Sequence, residues 1–277
     1  MSILRTAATT VATRPRDCLR ELTATAVAVA TWPLGLSDGP LSLALAGARR
    51  DSGVAPVGTP VVLVHGFAGS KSNFLPVETQ LRRAGYERVV RFTYNAFTQA
   101  IPDVAQQLSD CVTEVLARTG ADRVHLVGHS LGGVVCRWFV TELGGDEIVD
   151  LVVTIASPHD GTPLGHLGAL RQHDLGRCAT QIATGSALLL GLDERLTTRH
   201  EAGERVDCRW VAFSCDLDVV VPAARAELHH AALDVTNVLV VGRGHLSVLL
   251  APELAEAVTA HLLAAETPTS YAPAVAA

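Results

Sequence analysis

The sequence predicts an α/β fold built on one mostly parallel central sheet with helices on both faces, and three observations predict it. From residue 60 onward, short runs rich in valine and leucine alternate with segments of helical period. Those runs lack polar alternation, as strands buried on both faces do. Hydrophobic residues make up 48% of the 277 and charged residues only 18%, against about 25% charged in ordinary domains. That balance excludes disorder over most of the chain.

The first strand is expected at 60–65, where Val61-Val62-Leu63-Val64 runs into His65-Gly66. A helix at 72–84, a strand at 88–93, a helix at 101–119, a strand at 123–128 and a helix at 131–143 complete the first half. The next strand is expected at 151–156. The long stretch 160–206 reads as an irregular cap or lid insert over one end of the sheet. Its apolar patch, Ala187 to Leu192, is either acyl-site lining or core packing. Strands at 209–214 and 237–241 and a helix at 246–265 close the fold, and His229 and His230 fall in an expected surface helix between those strands. The organisation is then one catalytic domain over 56–266, an apolar helical or targeting segment over 1–55, and a loose tail over 267–277.

The N-terminal segment admits three readings. Arg14, Arg16 and Arg20 precede an apolar stretch over 22–36, as in a secretory signal ending near Ala44-Leu45-Ala46, but Asp17 and Glu21 interrupt the basic region. A membrane span needs about 20 continuous apolar residues, and Pro33, Ser37 and Asp38 break the run. A helix lying on the domain or on a membrane surface ranks first. The expectation is therefore a cytoplasmic protein that admits a membrane or lipid interface, with secretion as the alternative.

Net charge and aromatic content exclude one class of partner. A formal charge of −6 gives no global basic field for nucleic acid, and 4% aromatic residues leave few stacking platforms. Arg82, Arg83, Arg88 and Arg91 read as a solvated face. The six cysteines show no CxxC spacing and read as buried thiols, a Cys208–Cys215 bridge remaining open. His159, His166 and His173 with Asp160 and Asp174 lack metal-ligand spacing, so no metal is expected. Gly69-Ser70-Lys71-Ser72 lacks the glycine spacing of a phosphate loop.

The chemistry concentrates in Gly128-His129-Ser130-Leu131-Gly132-Gly133, which follows a strand and opens a helix. GxSxG in that order is a nucleophile elbow: small neighbours let the chain make a strained turn that exposes the hydroxyl. A serine hydroxyl is a weak nucleophile until a base takes its proton, so a histidine and an orienting acid are required downstream. His245, between the last strand and the last helix, is the candidate base. Asp216 and Asp218 both follow a strand, and in an extended stretch they would share a face, so period leaves the acid open. The backbone amides of Phe67, beside Gly66, and of Leu131 are the natural donors for a tetrahedral oxyanion.

Residues 58–264 resemble the α/β-hydrolase superfamily, specifically its bacterial lipase and esterase branch. The resemblance rests on His65-Gly66-Phe67 with Gly69-Ser70, on Gly128-His129-Ser130-Leu131-Gly132-Gly133, and on Ala156-Ser157-Pro158-His159-Asp160-Gly161-Thr162, which is similar to that branch's T-P-H-x-G-[ST] loop with Ser157 in place of threonine. It implies an acid four residues before a proline, which Asp218 and Pro222 match and Asp216 does not. It also implies that His65, Gly66, His129, Pro158 and His159 line or shape the site. The expected function is hydrolysis of carboxylic esters, with acyl lipids as substrates, through an acyl-enzyme and without a cofactor. Thioesterase or acyltransferase activity on the same residues, a non-catalytic binding module, and a membrane-surface protein driven by residues 22–48 are the alternatives.

Overall fold

A computed structural model describes residues 58–67, 71–165 and 177–266, and of the first 57 only Arg16, Leu19, Glu21, Thr23 and Ala26. The segment readings for residues 22–57, the tail 267–277, and His166, His173 and Asp174 lie outside the described residues apart from Thr23 and Ala26. No helix among the described residues is long and apolar enough to cross a membrane.

Six strands form the sheet: β1 (Val61–Val64), β2 (Val89–Phe92), β3 (Val124–His129), β4 (Val149–Ile155), β5 (Arg209–Cys215) and β6 (Asp234–Val240). They run in the order β2-β1-β3-β4-β5-β6, every neighbouring pair parallel. Period 2 explains the continuous apolar runs. Val61, Leu63, Val127, Val153 and Phe213 fall in one core cluster, while Val62, Val64, Leu126, Val152 and Trp210 fall in the other. Each central strand therefore carries apolar side chains on both of its faces.

Helices cover both layers. α1 (Leu75–Arg83) and α7 (Pro252–Glu266) pack together over the first cluster, whereas α2 (Ile101–Thr119), α3 (Leu131–Glu142) and α5 (Ala187–Glu201) cover the second. Two short helices, α4 (Arg177–Gln181) and α6 (Ala223–Ala226), lie among these in the chain, and the described residues of the N-terminal segment are also helical. Glu266, at the end of α7, accepts hydrogen bonds from Thr59 at 2.8 Å and from His125 at 3.0 Å, fixing the helix to the amino ends of β1 and β3, opposite the elbow.

Several expectations change. The insert is helical where it is described: Ser186 caps α5 by accepting from the Leu189 amide, and Leu189, Leu192 and Leu196 enter the core against α3. That assigns most of the apolar patch to packing; Leu190 alone among the large ones points outward. The last helix starts at Pro252 rather than at 246, because a proline disfavours helical geometry in the residue before it; Ala251 is extended and a 3-10 turn occupies Ser247–Leu250. The first helix likewise splits into a 3-10 turn, Lys71–Phe74, and α1, with Pro76 in the first turn.

β6 lies at the sheet edge with one neighbour, so it is not buried on both faces and Leu239 stands more than half exposed. His229 and His230 follow α6 in irregular chain, not in a helix. Arg82 and Arg91 are not simply solvated: both pair with Glu78, a carboxylate buried in α1. Cys208 and Cys215 are free thiols at opposite ends of β5. At ~3.3 Å per residue, seven residues of strand hold them more than 20 Å apart, far beyond a disulfide's reach.

Candidate active site

Strand order locates the site. The chain leaves β1 toward β2 and then returns to place β3 on the other side of β1, so the loops after β1 and β3 diverge and open a crevice at the strands' carboxyl ends. Phe67 follows β1 and Ser130 follows β3 at that point.

Ser130 occupies the turn between β3 and α3 at φ 53° and ψ −124°, a conformation that costs a non-glycine residue about 1–3 kcal/mol. Its amide donates to Ile155 O of β4 at 2.8 Å, which fixes the turn. Only glycine fits at 132, where a Cβ would lie 2.2 Å from the Val64 carbonyl oxygen. At Gly66 an added Cβ would press on the Ser130 Cβ at 2.9 Å. These two contacts let the β1 loop close on the serine.

His245 Nε2 lies 3.0 Å from Ser130 Oγ, and His245 Nδ1 lies 2.7 Å from Asp218 Oδ2. The other carboxylate oxygen of Asp218 accepts the amides of Val220 and Val221, both at 2.8 Å, so the acid is held from both sides. Asp216 points elsewhere: it is exposed and accepts the Gly242 amide at 2.6 Å. The expected shared face fails because the chain turns after Cys215, with Asp218 N bonded to Cys215 O. Burial alone would lower the basicity of His245; the charge and hydrogen bond of Asp218, with a contribution from Glu21, outweigh it and raise the imidazole above its ordinary range.

The other expected residues fall into two groups. His129 stands beside His245, ring centroids 4.9 Å apart, and its Nε2 donates to the His245 carbonyl at 3.0 Å. Burial and the neighbouring His245 lower it to about 3, so it is a neutral donor. His65 stacks on Tyr94 at 4.5 Å, and the Tyr94 hydroxyl donates to the His65 carbonyl at 2.7 Å, which steadies the chain just before Gly66. Phe67 packs against Phe97, forming an apolar wall next to its amide. The Leu131 amide is the first of α3, one of the N-terminal donors that a helix cannot satisfy internally.

His159 belongs to the second group. It bonds Thr154 Oγ1 through Nε2 at 3.0 Å, its carbonyl accepts from Arg137 at 3.4 Å, and Arg137 in turn pairs with Asp193 of α5. Burial, aided by Arg137, lowers it to about 3. It buttresses β4 and α3, with Pro158 in the same buried loop, and these bonds run to Thr154 and Arg137 rather than to Ser130, Asp218 or His245. Asp160 pairs with Arg225 on the surface, and among the described residues no cluster has the makings of a metal site.

Sequence reasoning missed Tyr94 and Glu21. Glu21 accepts the amides of Leu246 at 2.7 Å and Ser247 at 3.0 Å. No motif marks it; it reads only as a charge that spoils a signal sequence.

A model of the palmitoyl protein thioesterase family matches residues 60–184. A triacylglycerol lipase of Burkholderia plantarii is 30% identical over 169 residues, covering 58% of this chain and 47% of the relative. A triacylglycerol lipase of Pseudarthrobacter phenanthrenivorans is 31% identical over 133 residues, 45% of this chain and 41% of the relative. The chain thus spans less than half the length of these curated relatives. Among solved structures, the mature form of Bacillus licheniformis lipase BlEst2 superposes with a TM-score of 0.58 at 19% identity, covering 75% of this chain and 93% of that one. Parallel sheet, strand-turn-helix elbow and these matches together identify the fold as that of the α/β-hydrolase superfamily.

Proposed function

We propose that the protein is a serine hydrolase of carboxylic esters, with acyl lipids as its substrate class. The observation that carries the proposal is the unbroken chain from Asp218 Oδ2 through both imidazole nitrogens of His245 to Ser130 Oγ. Ser130 attacks the ester carbonyl carbon as His245 Nε2 takes the hydroxyl proton. Asp218 holds the Nδ1–H tautomer and stabilises the imidazolium. The tetrahedral oxyanion forms beside the amides of Phe67 and Leu131, donors worth about 3 kcal/mol each in comparable sites. Collapse breaks the ester C–O bond, and His245 returns its proton to the departing alcohol. Water repeats the sequence on the acyl-enzyme, releasing the carboxylic acid and restoring Ser130. The apolar wall of Phe67 and Phe97 and the lipase relatives support an acyl substrate.

The thioesterase family match over residues 60–184 favours one second reading, in which the same residues cleave an acyl thioester. Both readings are tested together. A fluorophosphonate probe should leave one adduct, mapped by mass spectrometry to Ser130 and absent in Ser130→Ala. An adduct elsewhere, or ester turnover by Ser130→Ala, overturns the mechanism. A chain-length series of matched oxygen esters and thioesters then separates the two substrates by kcat/KM.

A further inference from the structure

The peptide unit joining His245 to Leu246 is gripped at both of its polar groups by side chains from remote parts of the sequence. Its carbonyl oxygen accepts from His129 Nε2 at 3.0 Å, and its N–H donates to Glu21 Oε1 at 2.7 Å. The second oxygen of Glu21 takes the next amide, that of Ser247, at 3.0 Å. Gly244 makes room for this contact: a Cβ there would sit 2.6 Å from Glu21 Oε2. Its amide is bonded in turn to Ser247 Oγ at 2.9 Å. Four consecutive residues of the turn are thereby tied down, and among the described residues the carboxylate that does so comes from 225 residues away.

We infer that Glu21, from the N-terminal segment, is a positioning residue that clamps the turn carrying His245 and so sets the imidazole between Ser130 and Asp218. The inference rests on the hydrolase reading. Its physical content is twofold. Two charge-assisted bonds to adjacent amides restrict rotation of the His245–Leu246 peptide, and a fixed negative charge near the imidazole favours its protonated form. Among the described residues, the groups that meet His245 and its turn are Asp218 at Nδ1, Ser130 at Nε2, neutral His129 at the carbonyl and Glu21 at the following amides; Arg243 on the same turn is paired with Glu253. Glu21 is thus the only carboxylate besides Asp218 in that set. A chain cleaved near Ala46 would lose it.

The test uses the full chain with Glu21→Gln and Glu21→Ala. Glutamine keeps one acceptor oxygen and removes the charge; alanine removes both. On a short soluble ester, Glu21→Ala should lose ~10- to 100-fold in kcat at nearly constant KM, the scale of a small misplacement of the base, and Glu21→Gln should lose less. In both variants the acid limb of kcat/KM should move to lower pH, because loss of the negative charge makes the imidazolium easier to deprotonate. Amide exchange at Leu246 and Ser247 should quicken in Glu21→Ala. Should Glu21→Ala fail to fold, the pH profile of Glu21→Gln decides alone. Variants matching wild type in kcat and pH profile, with wild type labelled at Ser130, overturn this inference and leave the hydrolase reading standing. Failure of wild type to label at Ser130 overturns the hydrolase reading, and the inference falls with it.

Discussion

Replacing Ser130 by glycine should leave the protein more stable than replacing it by alanine, although glycine is ordinarily the more destabilising choice. Both substitutions remove the hydroxyl and its 3.0 Å contact with His245, so that loss cancels in the comparison. What differs is the Cβ. At φ 53° and ψ −124° a residue with a Cβ carries about 1–3 kcal/mol of strain, and glycine carries almost none. Against this, the unfolded chain gains about 0.4–1 kcal/mol of conformational freedom from glycine. The difference favours Ser130→Gly by about 0.5–2 kcal/mol, or a few degrees in Tm for a domain of this size. Urea unfolding of the two variants, followed by circular dichroism at fixed pH, measures it directly. A Ser130→Gly protein equal to or less stable than Ser130→Ala would show that the turn is not strained and that the geometry of the elbow has another origin.

The raised imidazole of His245 places the acid limb of kcat/KM above the ordinary histidine value of about 6.5. Asp218→Asn should cost about 10⁴-fold in turnover, whereas Asp216→Asn, whose side-chain oxygen still accepts the Gly242 amide, should leave turnover nearly unchanged; equal losses in the two would reject the assignment of the acid. Burial depresses His129 and His159 to about 3, so their contribution to stability is complete above the unfolded value near 6.5 and is lost as pH falls toward 3. At pH 5 each has lost roughly 2 kcal/mol by linkage. His245, shifted the other way, contributes below its unfolded value and loses that contribution as pH rises. Urea midpoints should therefore drop between pH 7 and pH 5 and drop less in His159→Gln; a flat profile would contradict the burial of the two rings.

The parts of the fold that were legible are those where burial imposes a period. β1, β3, β4 and β5 are covered on both faces, so both alternating sets of positions are largely apolar and the run announces the strand. β6 carries the same composition in Val238-Leu239-Val240 but lies at the edge, and no feature of three apolar residues distinguishes one covered face from two. α5 was concealed differently. Leu189, Leu192 and Leu196 have helical spacing and Ser186 is a good cap, but Leu188, Leu190 and Gly191 blur the period that would have revealed them. Proline positions marked both helix starts that the expected boundaries overran, since Pro76 and Pro252 stand in the first turns of α1 and α7.

The site divides along the same line, between residues fixed by local geometry and residues fixed by contact. Ser130 is legible because an elbow needs small neighbours within a few positions on either side, and His245 because it lies in the loop between the last strand and the last helix. Asp216 and Asp218 are not separable locally: the difference between them is a turn after Cys215, stabilised by a hydrogen bond that either residue's sequence context permits. Glu21 is invisible for a stronger reason. Its partners are backbone amides, which every residue possesses, and they lie 225 positions away, so no side-chain identity elsewhere encodes the pairing. A residue that acts by holding main chain rather than by meeting another side chain leaves no pattern in sequence, and it is among such residues that the sequence-legible Ser130 and His245 acquire their geometry.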